Sequence, residues 1–205
     1  HFFALFLWVD YFFVNFFNFL HQIEFHALQL AVFYEFHRAD HAAKSCHDAG
    51  FFVDFPQGRF SVDTDSVKVV SGFLGGKTAA LTGYSATLQP SPRNFASLAL
   101  CSLDGKPISS SGKVLLTAVD KVENQGLQWN QPRTYASHSW DQGPTQAEVP
   151  SGEITIQTSL KKARVYALDG RGARADEVKA SLNGGTLRFH VGPEFKTLWY
   201  EIAGD

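Results

Sequence analysis

The strongest constraint on the fold is a pair of alternating sequence runs near the C-terminus, joined by a glycine-rich turn. Apolar and polar residues alternate through 178–182 and again through 187–191, with Asn183, Gly184 and Gly185 between the two runs. Apolar and polar residues alternate in this way along a strand that has one buried face. Asn-Gly between two such runs is a strong short-range signal of a β-hairpin. The sequence therefore predicts an antiparallel hairpin, with Asn183 and Gly184 as its turn.

The chain from about Gln57 onward carries more strand patterns of this kind. They are SVKVVSGFL (66–74), NFASLALCSL (94–103), KVLLTAVDKV (113–122), GEITIQT (152–158) and ARVYAL (163–168). About nine to eleven short strands at this spacing, with no comparable helical period, are typical of two packed sheets. We therefore expect an all-β, antiparallel two-sheet β-sandwich, immunoglobulin-like or jelly-roll-like, over residues 56–205.

The N-terminal part of the chain has a different composition. Eleven of the first 50 residues are Phe, whereas only five Phe occur from Gln57 to Asp205, and six of the eight His also lie in the first 50. Gly50 is the only Gly or Pro in that stretch, and a segment with so few breakers is typically helical. We predict a Phe/His-rich, helical segment over residues 1–55, ahead of the sandwich domain.

Three interpretations of this N-terminal segment stay open. Residues 2–20 are almost wholly apolar and long enough to cross a bilayer, which would make the protein a membrane-anchored surface protein. Against this, Asp10 lies in mid-segment, and no Lys or Arg precedes the apolar run. The segment is alternatively a helical hairpin buried against another domain, or a cloning junction or stretch read in another frame.

Charge and cysteine content exclude several classes of protein. The chain has 18 basic and 20 acidic residues and no cluster of Lys and Arg, so we expect no nucleic-acid partner. Cys46 and Cys101 form no CxxC pair, which excludes a zinc ribbon and a disulfide-rich scaffold. One disulfide and two free thiols both remain open.

A group of possible metal ligands lies near the end of the N-terminal segment. His37 and His41 are four residues apart, so they would share a helix face, and Cys46 and His47 follow closely. Because the spacing matches no established zinc or copper motif, we expect neither a metal site nor a cofactor. The standard hydrolase, phosphate-binding, dinucleotide-binding and metalloprotease motifs are also missing from the sequence.

The richest set of polar and aromatic residues lies in one loop of low periodicity. We predict a carbohydrate-binding site there, formed by Trp129, Asn130, Arg133, Tyr135 and Trp140. Aromatic rings stack on the C–H faces of sugars, and the polar side chains pair with hydroxyl groups. The alternative is that the two Trp residues plug the end of the sandwich or pack on a neighbouring domain.

Several carboxylates lie in or beside turn-rich segments and are candidates for glycosidase chemistry. They are Glu123, Asp141, Glu148 and Glu201. A pair at the right separation would allow acid–base hydrolysis of a glycoside. The simpler interpretation is that they are solvated surface charges, so we assign no catalytic residue.

Seven short segments in fixed order resemble one known group of proteins. They are GRFSVDT (58–64), SGFLGGKT (71–78), SLDGKPI (102–108), LLTAVDKVENQGLQWN (115–130), GPTQAEVP (143–150), ARVYALDGRG (163–172) and GPEFKTLWYEI (192–202). Over about residues 57–202 they resemble the C-terminal β-sandwich of large bacterial glycoside hydrolases with a catalytic (β/α)8 barrel.

This resemblance implies a secreted or periplasmic bacterial parent enzyme of carbohydrate metabolism, which uses a retaining two-carboxylate mechanism in its barrel. Residues 1–50 do not resemble the last units of that barrel, so we expect a non-catalytic module. Its partners would be a catalytic barrel, which it stabilises, and a polysaccharide or oligosaccharide, which it binds weakly. The alternative is an independent small glycoside hydrolase.

Overall fold

The computed structural model describes residues 50–54, 58–131 and 143–205. Residues 1–49 of the predicted helical segment, the membrane contact of residues 2–20 and the cluster from His37 to His47 lie outside these ranges. Within them, no helix is long and apolar enough to cross a membrane.

Fifteen strands and two short 3₁₀ turns make up the described chain. The strands are β1 Phe51–Asp54, β2 Arg59–Asp63, β3 Val67–Phe73, β4 Thr78–Leu81, β5 Tyr84–Leu88, β6 Phe95–Ser102, β7 Lys113–Val119, β8 Lys121–Asn124, β9 Thr145–Glu148, β10 Gly152–Gln157, β11 Ala163–Leu168, β12 Arg174–Val178, β13 Ala180–Asn183, β14 Thr186–Val191 and β15 Trp199–Gly204. The 3₁₀ turns are Ile108–Ser110 and Pro193–Phe195.

The strands form two large sheets and one small one. The eight-stranded sheet has the order β1-β2-β3-β6-β7-β15-β11-β12, and the five-stranded sheet has the order β13-β14-β10-β5-β4. Strands β8 and β9 form a separate two-stranded sheet. Every pairing is antiparallel. The prediction of an all-β chain with two antiparallel sheets is confirmed, and the arrangement is consistent with a β-sandwich.

One hydrophobic core joins the inner faces of the two large sheets. Leu98, Leu116 and Tyr200 from the eight-stranded sheet are fully buried in it. Ile154 and Phe189 from the five-stranded sheet belong to the same cluster and are at most 3% exposed. Each such side chain contributes roughly 1.5–3 kcal/mol by leaving water, so the core supplies the main favourable term for folding.

The hairpin predicted near the C-terminus is present, but its turn lies one residue later than predicted. Asn183 pairs with Thr186, so the two-residue loop is Gly184-Gly185 rather than Asn183-Gly184. Gly184 and Gly185 have φ values of 56° and 76°. A two-residue hairpin loop of this kind needs positive φ at both positions, which two glycines adopt without the steric cost of a Cβ.

Strand β1 belongs to the segment 1–55 that was predicted to be helical, and for Phe51–Asp54 that prediction is wrong because these residues pair with β2. Phe51 pairs with Val62 of β2, and Asp54 pairs with Arg59. The ring of Phe51 meets the ring of Phe60 edge to face, with 4.9 Å between centroids. This aromatic pair ties β1 to the sheet.

Candidate functional site

A hairpin formed by β8 and β9 holds the loop that contains the predicted carbohydrate site. Lys121 pairs with Glu148 and Asn124 with Thr145. The hydroxyl of Thr145 donates to Oδ1 of Asn124 at 2.6 Å, and the N–H of Gln125 donates to the carbonyl of Pro144 at 3.0 Å. These contacts fix the two ends of the loop 125–144.

Trp129 projects from the start of this loop and is 37% exposed. Its indole N–H donates to Oε2 of Glu123 at 3.2 Å, which fixes one edge of the ring. Asn130 follows it and is exposed. A partly exposed ring whose N–H is held by a carboxylate suits stacking on a sugar, because the ring is fixed in orientation before a ligand arrives.

The structure places two of the five predicted site residues, Trp129 and Asn130. Arg133, Tyr135 and Trp140 lie outside the described residues, so their part in the site stays a prediction.

A chain of ion pairs links this hairpin to the rest of the domain. The Lys121 ammonium contacts Glu123 and lies 3.8 Å from Oε1 of Glu148. The Arg93 guanidinium contacts Glu148, and its Nε lies 3.5 Å from Oδ1 of Asp120. Sequence reasoning missed Arg93 and Asp120, because Arg93 is 55 residues from Glu148 and no local pattern brings them together.

The candidate carboxylates fall into two separate sheets. Glu123 and Glu148 share the Lys121 ammonium in the small sheet, whereas Glu201 lies on β15 of the eight-stranded sheet. Arg174 donates to both oxygens of Glu201, at 2.7 and 3.1 Å, and these bonds lower the pKa of Glu201 below its usual value. Glu201 is therefore the partner of Arg174 in a structural ion pair. Asp141 lies outside the described residues.

The outer face of the five-stranded sheet is polar. Its core residues alternate with outward-facing side chains from β5, β10 and β14. Those outward side chains are Ser85, Thr87, Glu153, Thr155, Gln157, Thr186, Arg188 and His190. This is the expected pattern for an antiparallel sheet with one face in water.

The outer face of the eight-stranded sheet is apolar over most of its strands. The register places β2, β3, β6, β7 and β15 side by side, with alternate residues pointing away from the core. The outward residues include Phe60, Val62, Val67, Val69, Phe95, Ala99, Leu115, Val119 and Trp199, and the polar residues Ser71, Ser97, Thr117 and Glu201 lie among them. Phe51 and Phe73 on the same face are 48% and 53% exposed. An outer face with this many aliphatic and aromatic side chains is typical of a surface that another domain covers.

Cys101 also lies on this outer face and is a free thiol with 5% exposure. Burial raises the pKa of its thiol to about 11, so it is not an activated nucleophile. Within the part of the chain that the structure describes, no three His, Cys, Asp or Glu residues group as metal ligands.

Comparisons with known proteins leave the family of this chain open. Neither protein-family models, nor curated proteins, nor solved structures give a significant match. The resemblance to the sandwich of glycoside hydrolases therefore rests on the seven sequence segments, and the functions that it implies stay proposals.

Proposed function

We propose that this chain is a carbohydrate-associated β-sandwich module derived from a secreted bacterial glycoside hydrolase. It stabilises a catalytic (β/α)8 barrel and binds polysaccharide or oligosaccharide weakly through the loop that begins at Trp129. In this proposal the two sheets are a sandwich of the immunoglobulin-like or jelly-roll-like kind, and the protein acts outside the cytoplasm.

The observation that carries the proposal is the contrast between the two outer sheet faces. The five-stranded sheet presents Glu153, Gln157 and Arg188 to solvent, whereas β3 and β7 of the eight-stranded sheet present Val69 and Leu115. Aliphatic and aromatic side chains on one outer face, beside a polar opposite face, suit a domain that docks on its neighbour through one side. A barrel that precedes the sandwich in the parent enzyme is such a neighbour.

Glycan contact is supported by the geometry of Trp129. The ring is exposed, and its N–H is held by Glu123. One or two stacked aromatic rings contribute on the order of 1 kcal/mol each, which gives at best high-micromolar to millimolar affinity. Such weak binding suits an accessory contact that keeps a substrate near the barrel.

A second candidate function is an independent glycoside hydrolase. The observation in its favour is that Glu123 and Glu148 lie on one face of the β8–β9 hairpin and contact the same ammonium group, that of Lys121. Both carboxylates are held in ion pairs, whereas a glycosidase acid must carry a proton that it can give to the leaving group. We therefore rank this candidate second.

Docking is tested with the barrel of a glycoside hydrolase whose own sandwich carries the seven segments, prepared without that sandwich. Mixed with this chain, the barrel should form a complex in sedimentation velocity. The double change Val69→Lys and Leu115→Lys should weaken the complex at least about tenfold, because two lysines would be buried without partners.

The matched control places two lysines on the other outer face, with Thr87→Lys and Thr155→Lys. It should leave the complex unchanged, and melting curves check that both variants are folded. Equal loss of the complex in the two variants, or no complex with the unmodified chain, would count against docking through this face. Turnover of aryl glycosides by the purified chain, lost in Glu123→Gln or Glu148→Gln, would favour the second candidate.

A further inference from the structure

A groove lies at one end of the domain, between the loop before β6 and the segment that leads into β15. Its volume is about 670 Å³, which is within the usual range of small-molecule sites. Its lining includes Asp120, Glu148, Lys196, Thr197 and Trp199.

Asp120 is the unusual member of this lining, because its side chain is only 5% exposed. Its backbone N–H donates to the carbonyl of Glu148 at 2.8 Å, which fixes the residue between β7 and β8. Oδ1 of Asp120 lies 3.5 Å from Nε of Arg93 and accepts no hydrogen bond from the residues that the structure describes. A carboxylate accepts about four hydrogen bonds, so Asp120 keeps acceptor capacity for a ligand.

The opposite wall of the groove is held rigidly. The hydroxyl of Thr197 donates to the carbonyl of Leu168 at 2.5 Å and accepts from the N–H of Trp199 at 3.1 Å. Lys196 has a left-handed backbone, and its N–H donates to the carbonyl of Pro193 at 3.1 Å. A lining fixed in this way needs little ordering when a ligand binds.

The charges around the groove balance. Asp120 and Glu148 each carry a negative charge and are both contacted by Arg93, and Lys196 adds a second positive charge to the wall. Lys121 also approaches Glu148, but its charge is matched by that of Glu123. A groove of this kind gives no net attraction to a charged ligand. Trp199 is half-buried in the lining and supplies an aromatic surface. The combination of one underused acceptor, an aromatic ring and no net charge fits a ligand that is neutral and rich in hydroxyl groups.

We propose that this groove binds a neutral sugar unit of a glycan, with hydroxyl groups donating to Asp120 and a sugar face against Trp199. The inference rests on the proposed carbohydrate association and names a second contact, distinct from the one at Trp129.

The experiment maps binding on the full ¹⁵N-labelled chain by NMR, with cellohexaose and xylohexaose as neutral probes. Resonances of Asp120, Gly170, Thr197 and the Trp199 indole should shift with a neutral hexasaccharide. Asp120→Asn should weaken this binding about tenfold, because a hydrogen bond to a carboxylate is stronger than one to an amide. The control Asp176→Asn, at an exposed position of β12, should leave the affinity unchanged.

The NMR shifts of the unmodified chain test the groove site even if Asp120→Asn fails to fold. Shifts confined to Trp129 would overturn the groove site and leave the proposed glycan contact at the loop intact. If neither neutral hexasaccharide shifts any resonance, the groove site is overturned. Docking through the apolar sheet face is tested separately. Equal binding of a galacturonic acid hexamer in the groove would overturn the assignment to a neutral sugar.

Discussion

The hydroxyl of Tyr200 bonds to both backbone groups of Gly192, accepting from its N–H at 3.3 Å and donating to its carbonyl at 3.4 Å. Tyr84 lies in the core on β5 of the other large sheet, and its hydroxyl is buried with no hydrogen-bond partner among the described residues. Removing the Tyr200 hydroxyl leaves two buried backbone groups without that partner, whereas removing the Tyr84 hydroxyl relieves an unpaired polar group.

We therefore predict opposite effects of the same substitution at the two tyrosines. Tyr200→Phe should lower the free energy of unfolding by about 1 kcal/mol, and Tyr84→Phe should leave it unchanged or raise it by about 1 kcal/mol. Urea unfolding of the two variants measures both changes. Each variant is the control for the other. A similar loss of unfolding free energy in both variants would contradict the predicted difference between the two hydroxyl groups.

The second prediction concerns the β13–β14 turn. Gly184 has a φ of 56° and open space where a Cβ would lie, so Gly184→Ala isolates the cost of the left-handed backbone. We expect a loss of about 1–2 kcal/mol in unfolding free energy. Gly170 also has open space around it and no positive φ, so Gly170→Ala is the matched control and should be nearly neutral. Equal effects at the two glycines would rule out backbone strain as the cause.

The third prediction concerns pH. The hydrogen bonds from Arg174 lower the pKa of Glu201 in the folded chain, so this carboxylate contributes stability above the unfolded pKa. That contribution is lost as the pH falls through the folded pKa. A ¹³C NMR titration should therefore place the pKa of Glu201 below that of an ordinary glutamate carboxyl, and Arg174→Ala should move this pKa upward. Arg171→Ala, in the turn before β12, removes the same charge and should leave the midpoint unchanged.

The fourth prediction concerns the loop at Trp129. The double change Trp129→Ala and Trp140→Ala should abolish retention on insoluble polysaccharide, because each stacked ring supplies on the order of 1 kcal/mol. Melting temperature should stay within a few degrees of the unmodified chain. Trp129→Phe is the control, since it keeps a stacking face and loses the hydrogen bond to Glu123. Unfolding of the double variant would show that these rings are part of the core.

The fifth prediction concerns β1. A chain that begins at Gly50 keeps the pairing of β1 with β2, whereas a chain that begins at Gln57 loses it together with the contact between Phe51 and Phe60. We expect the shorter chain to be less stable by about 1 kcal/mol or more, a decrease of at least about 2–4 °C in melting temperature. Equal melting temperatures for the two chains would show that β1 contributes no stability.

Most of the strands were predictable because their signal is local. Alternation in 152–158 and 187–191 reports directly which side chains face the core, and the glycines after Asn183 mark a turn. The exact turn residues were missed because Asn-Gly and Gly-Gly both supply residues that tolerate positive φ, and only the pairing of Asn183 with Thr186 decides between them.

The contacts around the candidate sites were harder to predict from the sequence. Contacts such as Arg93 with Glu148, or Arg174 with Glu201, join residues 55 and 27 positions apart. The apolar outer face is also distributed over several strands, and no single strand indicates which outward side chains of its neighbours will lie beside its own. Only the register shows that these side chains form one surface.

The order of the eight-stranded sheet leaves β12 at one end, and its residues Arg174, Asp176 and Glu177 are exposed. If two copies met through this strand in antiparallel fashion, centred on Asp176, the two aspartates would face each other across the new pair. Like charges directly opposite each other disfavour such pairing. Strand addition in that register, which would be a first step toward fibres, is therefore disfavoured at the β12 end of the sheet.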